Sequence, residues 1–151
     1  SGVAKDVNVA RISVIGVPDE PGMAFKLFSR LAAKDINIDI ILQSIGRDGT
    51  KDITFTVSSS YLRDALAILD SEFDHPNYIY DDNVAKVSIV GAGMETHAGV
   101  ASKMFEALYA AQVNIQMIAT SEIKVSVLID RADADRAVRA IHSAFFSEAL
   151  S

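Results

Sequence analysis

The strongest constraint on the fold is an internal repeat. Residues 8–16 read NVARISVIG and residues 83–91 read NVAKVSIVG, with only conservative changes between them. A second match follows, between GMAFKLFSRLAAKDINIDII at 22–41 and GVASKMFEALYAAQVNIQMI at 99–118. The offset is 75 residues in the first match (8 to 83) and 77 in the second (22 to 99), so the second copy has a loop two residues longer. This repeat predicts two copies of one folding unit.

The longer loop, GAGMETHAG, begins like the glycine turn of a dinucleotide-binding enzyme. That turn needs a third glycine where this chain has Thr96, and the next glycine, Gly99, comes three residues late. The first copy of the loop, GVPDEPG, has no G-x-G at all. The repeat therefore argues against a dinucleotide site. Both copies instead predict a strand, a loop and a helix that is opened by a glycine, Gly22 or Gly99. The free backbone amides at the start of such a helix favour binding of an anion.

The apolar pattern predicts the order β-α-β-β-α in each copy. Two strands separate the helices, at 37–45 and 52–58 in the first copy and at 114–122 and 122–130 in the second, with hairpin loops of unequal length. Helical spacing places apolar residues on one face of each helix. These residues are Ala24, Leu27, Phe28 and Leu31, then Leu62, Ala65, Leu66, Leu69 and Phe73, and in the second copy Ala101, Met104, Phe105 and Leu108, then Ala134, Ala137, Val138, Ile141 and Phe145.

A fourth strand is predicted at 77–82, and residues 3–6 occupy the matching place before the second copy. We therefore predict an α+β fold of two ferredoxin-like βαββαβ units in tandem, with antiparallel sheets and helices on one face. The first domain spans 8–82. The second combines 1–7 with 83–151, so that the N-terminal strand completes its sheet and the first domain is inserted in the second.

Composition excludes several classes of function. The 151 residues include no cysteine, which removes disulfides, cysteine nucleophiles and thiolate metal sites. A net charge of −6, without a local basic patch, argues against nucleic-acid binding. A ferredoxin-like RNA-binding protein would need basic and aromatic residues on central strands, whereas ISVIGV and DITFTV are aliphatic or hydroxylated. With no membrane span or signal peptide in the pattern, we expect a cytoplasmic protein with no membrane partner.

Several motifs resemble the tandem ACT-domain regulatory region of aspartate kinase: GVPDEPGMA, NIDIILQ, DITFTV, VSIVGAGM and NIQMIATSEIKVSVLI. Because no kinase domain precedes the repeat, the resemblance implies a separate regulatory subunit or an excised regulatory fragment. One departure is Ala119, where the family usually has serine, which puts a hydroxyl contact there in doubt.

The resemblance implies feedback control of the aspartate-family pathway. Lysine, threonine or both would bind where ACT domains of two chains meet, and would inhibit phosphorylation of aspartate. The expected partners are a second copy of the chain and the kinase catalytic domain or subunit. The chain itself would be non-catalytic and would need no cofactor or metal, since ATP and Mg²⁺ belong to the catalytic domain. The alternative is a structural dimerisation module that senses no ligand.

A free amino acid needs amide donors for its carboxylate and an acceptor for its ammonium group. In the first copy the amides of Gly22, Met23 and Ala24 suit the carboxylate, Asp19 suits the ammonium group, and Asn37 can bridge. The resemblance adds Ile38, Asp39 and Gln43. In the second copy the implied contacts are Met94, His97, Ala98, Gly99, Val100, Asn114, Ile115, Thr120, Ser121 and Glu122.

Other roles stay open for some of these residues. Asp19 lies two residues before Pro21 and suits a turn or cap. Asn37 and Asn114 can turn the chain after a helix, with or without contacting a ligand. His97 has no second ligand at metal spacing. The methionines Met94, Met104 and Met117 suit core or interface packing better than a binding site.

Overall fold

The computed structural model describes residues 2–90 and 97–146, without the side chain of His97. The strands are β1 (Gly2–Pro18), β2 (Ile38–Gln43), β3 (Thr50–Ser58), β4 (Tyr78–Val90), β5 (Ile115–Thr120) and β6 (Lys124–Asp130). The helices are α1 (Met23–Ala33), α2 (Leu62–Glu72), α3 (His97–Ala110) and α4 (Ala134–Phe146), with single 3₁₀ turns before α2 and α4. None of these helices combines the length and apolar content of a membrane span.

The chain divides into two compact units. One comprises Asn8–Asp82, and the other comprises the described residues up to Val7 and from Asn83 onward. Strand order is β2-β3-β1-β4 in the first unit and β1-β4-β6-β5 in the second. Neighbours β2–β3, β1–β3, β4–β6 and β5–β6 are antiparallel. Each unit thus has the strand order of a ferredoxin-like fold.

Strands β1 and β4 are longer than the sequence pattern predicts. The predicted strands at 3–6 and 8–16 form one continuous strand, and so do those at 77–82 and 83–91 as far as Val90. No glycine or proline separates the members of either pair, so nothing interrupts the extended backbone. Each long strand contributes one segment to each unit.

The first unit's core follows from alternating apolar residues on its central strands. Ile12 of β1 pairs with Phe55 of β3, and both are fully buried. Leu27 and Leu31 supply the buried stripe of α1. Phe28 packs edge-on against Phe55, with ring centroids 5.6 Å apart. The predicted helix stripe is therefore the surface that packs on the sheet.

The second unit repeats this arrangement. Val87 and Val127 pair across β4 and β6 and are fully buried. Val3 packs against the same core, and Lys5 bonds to Asp135 of α4. Met104 is buried in this core and Met117 is also buried, which confirms packing roles for both; Met94 lies outside the described residues.

The turns that follow α1 and α3 share one unusual backbone conformation. Asp35 and Gln112 have φ of 58° and 60°, in the left-handed region that ends many helices. The amides that follow, of Ile36 and Val113, donate to carbonyls of Leu31 and Leu108 at 3.1 and 2.9 Å, which completes each cap. The left-handed turn residues are therefore Asp35 and Gln112, whereas Asn37 and Asn114 lie two residues later and are exposed.

Candidate functional site

The turn between β1 and α1 presents backbone donors. The amide of Met23 reaches the Glu20 carbonyl over 3.5 Å, and the amide of Lys26 makes the first helical bond to Gly22, at 2.9 Å. No side chain caps this end of α1. The first amides of a helix lack intrahelical partners and carry the positive end of its dipole. This end of α1 is therefore suited to a carboxylate.

Gly22 is required by backbone conformation. Its φ of 90° and ψ of −9° lie in the left-handed region, where a side chain is strained. An added Cβ would meet no other atom within 4 Å. A glycine also lets a ligand approach the backbone closely, but the conformation of Gly22 shows that it first serves to turn the chain into α1.

Asp19 is held by the loop between β2 and β3. Its amide donates to the Gly49 carbonyl at 2.9 Å, and its carboxylate lies so close to Gly46 that a Cβ there would collide with it. The Lys51 Nζ is 3.4 Å from Asp19 Oδ1. The Asp19 side chain is 44% exposed and that of Lys51 only 15%. The carboxylate of Asp19, predicted to accept from a ligand's ammonium group, is thus accessible and already faces the ammonium group of Lys51.

Three residues that the sequence did not predict lie beside Asp19: Lys51, Gly46 and Gly49. Lys51 pairs with Val17 and Thr50 with Pro18, so β3 begins beside the end of β1. Paired residues of antiparallel strands point to the same face, and Val17 belongs to the core on the helix side. The available signal was the hairpin loop GRDGTK, whose lysine follows the last glycine by two residues.

Gln43 lies at the same end of the sheet as Asp19. It pairs with Ile53, and Ile41 pairs with Phe55, so both face the side of the sheet that carries α1. A bulge sets this orientation, because the pairing shifts by one residue between Ile38 and Ile41. Gln43 is exposed. The structure thus places Gln43 at the end of the sheet where Asp19 and the start of α1 lie.

The structure does not bring Asn37 to Asp19 within the first unit. Ile38, the next residue, pairs with Val57, six residues along β3 from Lys51. At roughly 3.3 Å per residue the two ends are about 20 Å apart. Asp39 is exposed near the Asn37 end, and Ile38 packs against the core. One amino acid cannot contact Asp19 and Asn37 of the same unit.

The second copy shows a related but different arrangement. The described part of α3 begins at His97, so Gly99 is its third residue and does not open the helix. Ala98 and Gly99 are exposed and Val100 is half-buried. Met94 lies outside the described residues.

The second hairpin turn is short. The Ser121 amide donates to the Lys124 carbonyl at 2.8 Å, and Thr120, Ser121 and Glu122 are exposed. Asn114 is exposed at the far end of β5, while Ile115 packs against the core. As in the first unit, the predicted residues fall into two groups at opposite ends of one strand.

Other chemistry at these positions has less support. The described part of the chain contains no group of three His, Cys, Asp or Glu residues placed to hold a metal ion. His75 and His142 are exposed surface residues. The pKa of the Tyr78 hydroxyl is raised, first because it donates a hydrogen bond of 2.9 Å to Asp70, but this pair lies at the surface.

Comparison with known proteins identifies the family. The ACT domain family model matches residues 12–73 and 87–145, one match in each copy of the repeat. The aspartokinase of Pseudomonas aeruginosa is 49% identical over 148 residues, covering 96% of this chain and 36% of that protein. The chain therefore spans about a third of the length of the curated relatives it matches.

Solved structures agree with this assignment. The ligand-free regulatory subunit of aspartate kinase from Thermus thermophilus superposes with a TM-score of 0.90 at 40% identity, covering 96% of this chain and 97% of that one. A structure of aspartokinase alpha and beta subunits gives 0.86 at 46% identity, with the same coverage. The chain therefore belongs to the ACT domain family, and within it to the tandem regulatory regions of aspartate kinases.

Proposed function

We propose that this chain senses lysine, threonine or both, and that binding inhibits an aspartate kinase. The observation that carries the proposal is the turn at residues 18–22, which combines an uncapped helix end with an accessible carboxylate at Asp19. An amino acid carries a carboxylate and an ammonium group on one carbon. These two features of the turn complement the two groups.

A second copy of the chain would complete the site. Asn37 lies about 20 Å from the Asp19 end of the sheet, too far for one ligand. The strand between them, β2, is the terminal strand in its unit's order. If two β2 strands pair antiparallel about a two-fold axis, the Asn37 end of one copy meets the Gln43 end of the other. The ligand would then contact both chains.

Exposed apolar residues support this dimer. Ile41 and Leu42 on β2 are 46% and 43% exposed. Ile45, in the adjacent loop, is 95% exposed, and Phe25, in the first turn of α1, is 76% exposed. Apolar residues grouped on an unprotected edge strand mark an interaction surface.

The catalytic step would belong to the kinase catalytic domain or subunit, in the cytoplasm. A known structure of aspartokinase alpha and beta subunits shares this chain's fold, which supports such a partner. ATP and Mg²⁺ would act in that partner.

The alternative, a dimerisation module without ligand sensing, shares the β2 interface but not the turn. Sedimentation velocity of the chain with and without each amino acid separates them. The sensor predicts that threonine or lysine raises the dimer fraction, because a ligand bound across two chains stabilises the dimer. A dimer fraction that neither amino acid changes would favour the structural module.

A further inference from the structure

Lys51 places a fixed positive charge inside the proposed site. Its side chain is only 15% exposed, although lysine side chains usually reach solvent. It stands opposite Val17 on the helix side of the sheet, which directs Nζ to the turn at Asp19. The Asp19 carboxylate is thus matched by one ammonium group before any ligand arrives.

The effect of this charge depends on the net charge of the ligand. An amino acid with an uncharged side chain is a zwitterion, so repulsion between Lys51 and its ammonium group is largely offset by attraction of its carboxylate. Free lysine has a second ammonium group, and no second carboxylate of the ligand compensates for the repulsion between that group and Lys51. The Asp19 carboxylate can neutralise one cation well but not two in the same space.

The second copy of the repeat lacks this charge. The residue at the matching place is Ile123, which is 59% exposed. It is the second residue of EIKVSVLID, as Lys51 is the second residue of TKDITFTVS. The two copies share their core positions, since Ile53 and Val125 are both fully buried. At the position of Lys51, the first copy carries a positive charge and the second copy carries an uncharged isoleucine.

We infer that Lys51 is a specificity-determining residue that makes the first-copy site select amino acids with uncharged side chains over lysine. This inference rests on the proposed function, because it assigns selectivity to the site proposed there. The unpaired charge of a bound lysine, several ångströms from Lys51 Nζ in a partly solvated site, corresponds to about a five- to tenfold difference in affinity.

Isothermal titration of the full chain with threonine and with lysine tests the inference. The readout is the ratio of the two dissociation constants, measured for wild type, Lys51→Met and Lys51→Gln. Lys5→Met is the matched control, because it removes another ion-paired lysine, the partner of Asp135, from the other unit. Circular dichroism melting checks that each variant is folded. If Lys51→Met does not fold, Lys51→Gln provides the test instead.

The inference predicts that wild type binds threonine more tightly than lysine. It also predicts that both Lys51 variants shift the ratio about five- to tenfold towards lysine, while Lys5→Met leaves it unchanged. If both amino acids bind and the Lys51 variants keep the wild-type ratio, the inference is wrong and the proposed sensor stands. Tighter binding of lysine by wild type would also overturn it. If neither amino acid binds wild type, both proposals fail.

Discussion

The backbone amide of Gly16 donates a hydrogen bond of 3.0 Å to Oδ1 of Asp52. Gly16 has φ of 69° and lies where the pairing of β1 with β3 shifts, between Val14 and Val17. The amide of Asp52 in turn donates to the Ser44 hydroxyl at 2.8 Å. Asp52 therefore joins the irregular end of β1 to the loop that holds Asp19.

Replacing Asp52 by alanine should remove the acceptor for the Gly16 amide. We expect the free energy of unfolding to fall by about 1 kcal/mol, the usual net value of one hydrogen bond. Urea denaturation followed by circular dichroism measures the change. The control is Asp74→Ala, whose side chain is 95% exposed and which should stay within about 0.5 kcal/mol of wild type. Equal stability of the Asp52 and Asp74 variants would contradict this role.

The ion pair between Lys5, in the N-terminal segment of β1, and Asp135 should stabilise the second unit in a pH-dependent way. Lys5 Nζ donates a hydrogen bond of 2.7 Å to Asp135 Oδ1, and this bond lowers the pKa of the Asp135 carboxyl. A carboxyl whose pKa is lower in the folded state stabilises that state above its unfolded pKa, about 3.9. The contribution disappears as pH falls through the lower folded value.

The variant Asp135→Asn tests the contribution of this ion pair. Its melting temperature should lie below that of wild type at pH 6, and the gap should close as the pH falls below about 3.9. Lys5→Met should behave like Asp135→Asn, and the double variant should add little, because the pair acts as a unit. A gap that persists unchanged at low pH would show that the Asp135 charge is not its source.

The position of the Asp19 carboxylate can be tested without changing Asp19. A Cβ at Gly46 would collide with that carboxylate, and the backbone of Gly46 does not lie in the left-handed region. Gly46→Ala should therefore push the Asp19 side chain aside and weaken amino-acid binding by about tenfold. Gly2→Ala is the control, since an added Cβ there meets nothing within 4 Å. Equal affinity of the two alanine variants for threonine, measured by titration, would contradict the placement of Asp19.

The chain alone should not phosphorylate aspartate. Phosphoryl transfer needs groups that hold ATP phosphates and Mg²⁺, and the sequence predicts neither set. A coupled assay for ADP formation, with ATP, Mg²⁺ and aspartate, should stay at the background of a protein-free control. Steady ADP formation that depends on aspartate would contradict the non-catalytic assignment.

The repeat predicts the elements well because it supplies two versions of each one. The apolar stripe of Leu27 and Leu31 in the first copy has its counterpart in Met104 and Leu108 in the second. Both stripes are buried in the structure. The left-handed residues after α1 and α3 could not be predicted, since Asp35 and Gln112 are neither glycine nor asparagine. There the tertiary fold overrides the local preference of the residue.

The site is less predictable because it depends on strand register. A one-residue slip of β3 against β1 would move Lys51 to the opposite face, and that register is set by the irregularity near Gly16. Sequence patterns do not reveal such shifts. The separation of Asn37 from Gln43, by contrast, follows from the length of β2, six residues, and was available from the sequence.

The central claim is that the turn at Asp19 binds an amino-acid effector, and isothermal titration of Asp19→Ala beside wild type tests it most directly. The Asp19 side chain is 44% exposed, so water can take its place beside Lys51 and the variant should unfold within about 1 kcal/mol of wild type. Loss of one charge-assisted bond to a bound ammonium group should weaken binding of threonine, lysine or both about tenfold to a hundredfold. Saturable binding by wild type that weakens to this extent in Asp19→Ala is the predicted result. Binding of both amino acids by the folded variant at wild-type affinity, or no binding by wild type, would contradict the account.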